Sequence, residues 1–280
     1  MFDLTRRGFF GSSLLSLPFF NKKPEPIEEI ISQKIKIIDG DQVIIKSITE
    51  NEGTTIAYYK NDPKIKNYKH GILHREDGPA FTIFDKDFKK EIWYKDGYIQ
   101  RIDGPAITEQ GKDIYREEWC IREGEKGGVY HRDNGPAIIN IHKTSFGSEL
   151  KIWYKNGFKH RENGPAVILI RDGSLRNFKS VTKEWHLNGK LHRKGNPALI
   201  CWGENQIIEE KWSQNGYEYR EGIHPSWIQK SLNGKITFLS WNNKKPPNHQ
   251  INRIHYNFRG EVERVIGNVS KEYLNGATLS

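Results

Sequence analysis

The sequence has little with which to build a thick aliphatic core. Only 35% of its 280 residues are apolar, which is low for a globular chain. It has one methionine, Met1, and two cysteines, Cys120 and Cys201. Each cysteine sits beside a tryptophan in a strand-like stretch (EEWCI, LICW) and reads as a small buried hydrophobe. The two lie in distant segments, whereas a disulfide needs Cα atoms within about 7 Å. No C-x-x-C pair exists to hold a metal. Long basic runs are also missing, although the formal net charge is +9. Such a charge favours acidic partners. The short pairs Lys22-Lys23, Lys89-Lys90 and Lys244-Lys245 nevertheless read as solvated surface, and no specific nucleic acid is expected. There is no P-loop, G-x-G-x-x-G, G-x-S-x-G or H-E-x-x-H. Carboxylates are spread thinly, so no glycosidase pair stands out. No enzyme activity, cofactor or metal is expected.

What the sequence does have is rings and turns: 8 Trp, 12 Tyr, 13 Phe, 26 Gly and 12 Pro. Large rings can bury surface on a thin sheet, and the chain is too aromatic to be disordered. The stretch WYKNGFKHRENGPAVI, from Trp153 to Ile168, recurs along the chain. Its first turn glycine aligns with Gly71, Gly97, Gly128, Gly157, Gly189 and Gly216. The proline of its second motif aligns with Pro79, Pro105, Pro136, Pro165 and Pro197. Spacings run from 26 residues (Pro79 to Pro105) to 32 (Pro165 to Pro197), the mark of a repeat array.

Each unit begins with a strand of period two. Leu150, Ile152 and Tyr154 point one way; Lys151, Trp153 and Lys155 point the other. An Asn-Gly or Asp-Gly turn follows, supplying the positive φ of a tight hairpin. Next come His-Arg and Asp/Asn-Gly-Pro-Ala: His74-Arg75 before Gly78-Pro79, His131-Arg132 before Gly135-Pro136, and His160-Arg161 before Gly164-Pro165. Gln100-Arg101 replaces the pair before Gly104-Pro105, and His192-Arg193 leads into the altered order Gly195-Asn196-Pro197. Proline cannot donate to a ladder, so it is expected to open the next strand. One such two-stranded piece is unstable alone. Stacked at about 4.8 Å per strand, five to six units extend one sheet by about 50–60 Å.

The motif W-Y-x-N-G-x-x-H-R-x-N-G-P-A resembles a MORN-type repeat in a longer Gly-Pro-Ala variant, over roughly residues 58–220. The resemblance implies an elongated antiparallel β-array that serves as a scaffold or binding surface for protein or lipid. It implies no catalysis outside an attached domain. The expected fold class is therefore all-β, a solenoid-like array of stacked hairpins. It divides into a leader (1–20), a linker (21–33), an N-terminal capping hairpin turning at Gly40-Asp41 (34–57), the repeats (58–226) and divergent C-terminal hairpins (227–280). The last of these turn at Asn233-Gly234 and Arg259-Gly260. In the leader, TRRGFFG with Arg6 and Arg7 resembles a twin-arginine export signal of a bacterium or its virus. No A-x-A site follows. Three readings stay open: export to the periplasm, an uncleaved membrane-associated anchor, and a leader without a targeting role in a cytoplasmic or virion protein.

Two sets of side chains could carry chemistry. Stacking would align His74, His131, His160 and His192, but ladder neighbours about 10 Å apart cannot converge on a zinc ion with bonds of about 2 Å. The structural expectation is that each Arg pairs with a turn Asp or packs on a ring, while each His donates to a turn carbonyl. Trp93, Trp153, Trp185 and Trp212, each four residues before a turn glycine, form a column that is either core or a stacking surface. The functional expectation is a non-catalytic scaffold presenting an extended face to a protein or envelope partner. Alternatives are a membrane- or glycan-surface protein held by its leader, an antitoxin or immunity-type repeat protein, and an enzyme with a site among His224, His249 and His255. Oligomeric state is left open.

Overall fold

The computed structural model describes residues 32–38, 41–50, 53–60, 72–123, 126–144, 147–173, 178–204, 206–242, 252–257 and 259–267. Arg6, Arg7, Gly71 and His249 lie outside them. Every regular element among the described residues is a β-strand. The expected fold class holds: a 17-stranded antiparallel sheet runs through the molecule, accompanied by a series of 2-stranded hairpins. The sheet is not closed; its outermost strands are Ser32–Ile38 and Val262–Ile266.

One unit shows how the sequence makes this. Strand Ser148–Ile152 pairs in the main sheet with Ile138–His142 on one side and Val167–Gly173 on the other. At Trp153 the strand breaks. The chain resumes as Tyr154–Lys155, which turns at Asn156-Gly157 and pairs only with Phe158–Lys159. His160-Arg161 and the Gly-Pro-Ala segment then carry it back into the sheet at Val167. The alternation of side chains predicts an unbroken strand through the tryptophan. The structure corrects this, because the Trp153 N–H bonds to the Ala166 carbonyl at 2.8 Å rather than continuing the ladder. Trp93, Trp119, Trp185 and Trp212 make the same bond to Ala106, Ala137, Ala198 and Ser226.

This crossing also corrects the place of proline. Regular strands start two residues after it, at Phe81, Ile107, Ile138, Val167 and Leu199. The intervening alanine is wholly buried in every copy: Ala80, Ala106, Ala137, Ala166 and Ala198 are each 0% exposed. A residue with one methyl group is what a site that tight can accept.

The sequence places a turn at Gly128, and here the structure disagrees. Gly128 lies inside strand Lys126–Tyr130, which pairs with Cys120–Glu123 through a bulge. Trp119 and His131 stand further apart than Trp153 and His160, and the extra residues lengthen the hairpin instead of shifting its stack. In the N-terminal hairpin Asp41 pairs with Ile38 and so belongs to the second strand rather than the turn, while Gly40 lies outside the described residues. The C-terminal hairpins turn where expected, with Gly234 and Gly260 at φ of 80° and 86°.

The core is thin and lies along one row of the sheet. Ile138, Ile152 and Val167 face one another across three strands, with Tyr130, Leu150 and Tyr154 packed against them. Full burial of a side chain such as Val167 stabilises by about 1.5–3 kcal/mol. At the C-terminal end Ile228, Leu239, Trp241 and Ile254 form a second cluster.

Filling the alanine site should be costly. Ala166→Leu is expected to lower stability by about 1–3 kcal/mol through overpacking, read as a fall in urea midpoint at unchanged slope. An unchanged midpoint would show that the crossing has room to spare.

Candidate functional site

The Gly-Pro-Ala motif and the aromatic column meet in one arrangement repeated along the array. The Arg161 guanidinium carbon sits 4.0 Å from the Trp153 ring centroid. Its Nη1 donates to the Pro165 carbonyl at 3.3 Å. On the other side lies Gly164, where an added Cβ would stand 3.2 Å from the guanidinium carbon. The cation is thus held between ring, glycine and proline carbonyl. Arg101 on Trp93 (3.9 Å), Arg132 on Trp119 (3.8 Å) and Arg193 on Trp185 (3.9 Å) repeat it, donating to Pro105, Pro136 and Pro197. Gly78, Gly104 and Gly135 lie against Arg75, Arg101 and Arg132 as Gly164 lies against Arg161. In the altered order, Gly195 takes φ of +72° with nothing within 4 Å of a would-be Cβ, yet Arg193 keeps its ring and carbonyl.

Of the alternatives for arginine, packing on a ring is what the structure shows. Two further copies complete pairs of which the sequence register held only one member, Arg75 with Pro79 in one and Trp212 in the other. Arg75 covers Tyr58 at 4.2 Å and bonds to Pro79, and Arg220 covers Trp212 at 3.8 Å and bonds to Pro225. Trp119 was likewise outside the tryptophan column read from sequence. Ring-to-arginine spacing grows from Trp153–Arg161 to Tyr58–Arg75, which hides that copy, while the Arg220 copy is hidden by its altered return Ile223-His224-Pro225; the constant signal is an aromatic followed, after any hairpin, by Arg and then Pro. Burial pushes the Arg193 and Arg220 guanidinium groups down from their ordinary value. Trp93, Trp153, Trp185 and Trp212 are all half-buried, each with an arginine over one face.

The histidines differ from expectation in direction. At Nδ1 each accepts a backbone amide from the turn of the next unit, while Nε2 of His74 faces the Glu76 carboxylate at 3.2 Å and His160 Nδ1 also lies 3.1 Å from Asn188 Oδ1. His74 Nδ1 accepts from Asp96 N at 3.0 Å, His131 from Asn156 N at 3.1 Å, His160 from Asn188 N at 3.3 Å and His192 from Asn215 N at 3.1 Å. These four turn residues all hold positive φ, from 49° to 53°. Gln100 stands where a histidine would face the lengthened hairpin of Cys120–Glu123 and Lys126–Tyr130, and its Nε2 donates instead to the Lys95 carbonyl at 3.2 Å. The turn glycines complete the link: Gly97, Gly157, Gly189 and Gly216 each donate to a carbonyl of the preceding hairpin, at Leu73, Tyr130, Lys159 and Leu191, all at 2.9 Å.

Two places break the aliphatic row. Glu118 aligns with Ile107 and Ile138 yet is only 4% exposed. It accepts from Arg116 Nε at 2.8 Å and from the Tyr130 hydroxyl at 2.9 Å. Burial, then the Glu118 charge, pushes the Tyr130 phenol and the Cys120 thiol well up. Glu184 is 5% exposed and bonds to His186 Nε2 at 2.9 Å, while His186 Nδ1 lies 3.4 Å from the Gly189 carbonyl. Each buried carboxylate therefore has a partner, as burial of charge demands. Both cysteines are free; Cys120 is buried, and Cys201 is half-buried beneath the Thr182 hydroxyl at 3.3 Å. His224 is exposed and His255 stacks edge-on against Phe238 at 4.9 Å. Among the described residues no three His, Cys, Asp or Glu side chains group to hold a metal.

Apolar side chains are exposed in the returns, where Ile102 is 88% and Ile223 51% exposed, and along the outer side of the hairpins. Phe158 is 57%, Tyr217 48% and Leu187 41% exposed. Phe158 lies over Gly189 of the next turn, and Lys190 over Gly216, so neighbouring hairpins share a continuous surface. Lys95, Lys155 and Lys190 are exposed beside them.

Removing the cation should loosen one copy. Arg161→Ala is expected to cost about 1–2 kcal/mol, from the lost ring contact and carbonyl bond, with a changed Trp153 emission; Arg161→Lys should recover only part. Nitrogen NMR of His131 and His192 should show an unprotonated Nδ1. A protonated Nδ1 in the folded protein would contradict the accepting role.

No family model matches the chain, and neither a curated protein nor a solved structure matches it.

Proposed function

We propose that the chain is a non-catalytic β-repeat scaffold, of the MORN-like kind its motif resembles, presenting its hairpin row to a protein or envelope partner. The observation that carries this reading is the fate of the recurring side chains. Arginine, histidine, glycine and proline of the motif spend their hydrogen-bonding and stacking capacity on the array itself. Along the hairpin row Phe158, Leu187 and Tyr217 face outward among lysines, a surface with apolar and cationic character. An apolar exposed patch of this kind marks an interaction site, and its charge favours an acidic partner. Recurrence supports a distributed interface, since a catalytic site is needed once.

The envelope reading draws on the same surface together with the twin-arginine-like leader, which would hold the chain at a membrane. Anionic lipid or acidic glycan would then meet the lysines, with rings at the boundary.

The test is to compare the full chain with the triple variant Phe158→Ser, Leu187→Ser, Tyr217→Ser in host fractions. The variant should keep its unfolding midpoint, because all three side chains are exposed, and should be lost from the particulate or partner-bound fraction. Retention equal to that of the unaltered chain would reject the hairpin row as the interface. Deleting one internal repeat should weaken association by degrees; turnover abolished by one histidine substitution would reject the non-catalytic reading.

A further inference from the structure

The motif places asparagine before glycine in two different settings, and the structure separates them chemically. Asn156-Gly157, Asn188-Gly189 and Asn215-Gly216 are hairpin turns, whereas Asn134-Gly135 and Asn163-Gly164 precede the prolines. All five asparagines are exposed, so solvent access does not distinguish them. The following amide does. Gly157, Gly189 and Gly216 each donate their N–H to a carbonyl of the preceding hairpin at 2.9 Å. The amides of Gly135 and Gly164 donate to no neighbouring hairpin among the described residues; that of Gly164 only closes a local turn on the Arg161 carbonyl. Over each of these two glycines lies a guanidinium, its carbon 3.1 Å and 3.2 Å from a would-be Cβ.

We propose that Asn134 and Asn163 are sites of spontaneous deamidation, and that stacking of the hairpins shields Asn156, Asn188 and Asn215 from the same reaction. The glycine nitrogen gives up its proton to solvent base and attacks the asparagine Cγ. The new C–N bond closes a succinimide, the Cγ–Nδ2 bond breaks and ammonia leaves. Water then opens the ring at one carbonyl or the other, leaving aspartate or isoaspartate. Glycine is the residue that least obstructs the ring closure, having no side chain. An amide already donating a hydrogen bond must first release it, while a fixed cation beside an amide favours the deprotonated nitrogen. Arg132 and Arg161 therefore promote the step that the inter-hairpin bonds oppose. The aspartate product is one the array already accommodates, since Asp77-Gly78 and Asp103-Gly104 occupy the same place in the first two copies under Arg75 and Arg101. Isoaspartate instead adds a main-chain carbon beneath the arginine and would disturb its seat on the ring.

The experiment is timed incubation of the full-length chain at mildly alkaline pH below its unfolding temperature. Peptide mapping by mass spectrometry would resolve aspartate from isoaspartate at each Asn-Gly. Asn134 and Asn163 should convert roughly tenfold faster than Asn156, Asn188 and Asn215, the factor that holding one amide hydrogen bond supports. In denaturant the five rates should draw together. Arg161→Gln should slow Asn163 without altering Asn134, with Asn156 and Asn188 remaining slow as the check that the array is intact. Equal rates in the folded chain, or faster conversion at the hairpin turns, would overturn the proposal.

Discussion

A cation laid flat on an aromatic ring organises this molecule. A single sheet with a thin core has little buried volume with which to fix where its strands end. In each motif copy the strand end at the ring is fixed by a guanidinium that rests on that ring and bonds the proline carbonyl, and in four copies it also presses on a glycine. The glycine is needed because a Cβ would meet the guanidinium, and the proline contributes a carbonyl at a place where its missing N–H is no loss. Contacts of this type contribute about 0.5–2 kcal/mol each, modest singly but repeated at six rings from Tyr58 to Trp212.

The arginine acts within a unit; the histidine acts between units. By accepting from the amide of a positive-φ residue in the following turn, it ties each hairpin's conformation to its neighbour. The turn glycines tie back in the other direction. Local strain in one unit is thus offset by its neighbours, the energetic pattern of a quasi-one-dimensional array. The buried Glu118 and Glu184 show that the inner row tolerates charge where a paired group sits within reach.

Much of this was legible in the residues. Asn-Gly turns, the Gly-Pro-Ala return and the period of the array follow from local backbone chemistry, which a sequence states directly. The strand break at tryptophan was not legible, because Ile152, Trp153 and Tyr154 alternate as in an unbroken strand and the break depends on a bond to Ala166, distant in sequence. The direction of the histidine bonds was hidden for the same reason: the partner belongs to the next unit. Tyr58 and Trp119 were missed because hairpins of different length shift the spacing, as the displaced Gly128 shows, and Arg220 because its return reads Ile-His-Pro-Ser in place of Gly-Pro-Ala. For the site, the motif residues of the described copies do come together, but what their outer surface meets is a matter of partners rather than of local geometry.

The sheet never curls back on itself, and the junctions between successive units are made by the same few bonds, save the one at Gln100. A closed barrel fixes its strand number; this ribbon does not. A duplicated or lost segment in the interior would leave both new neighbours with the seam they already know, changing only reach. Such a chain can be lengthened like a ruler, unit by unit, to suit whatever distance it has to span.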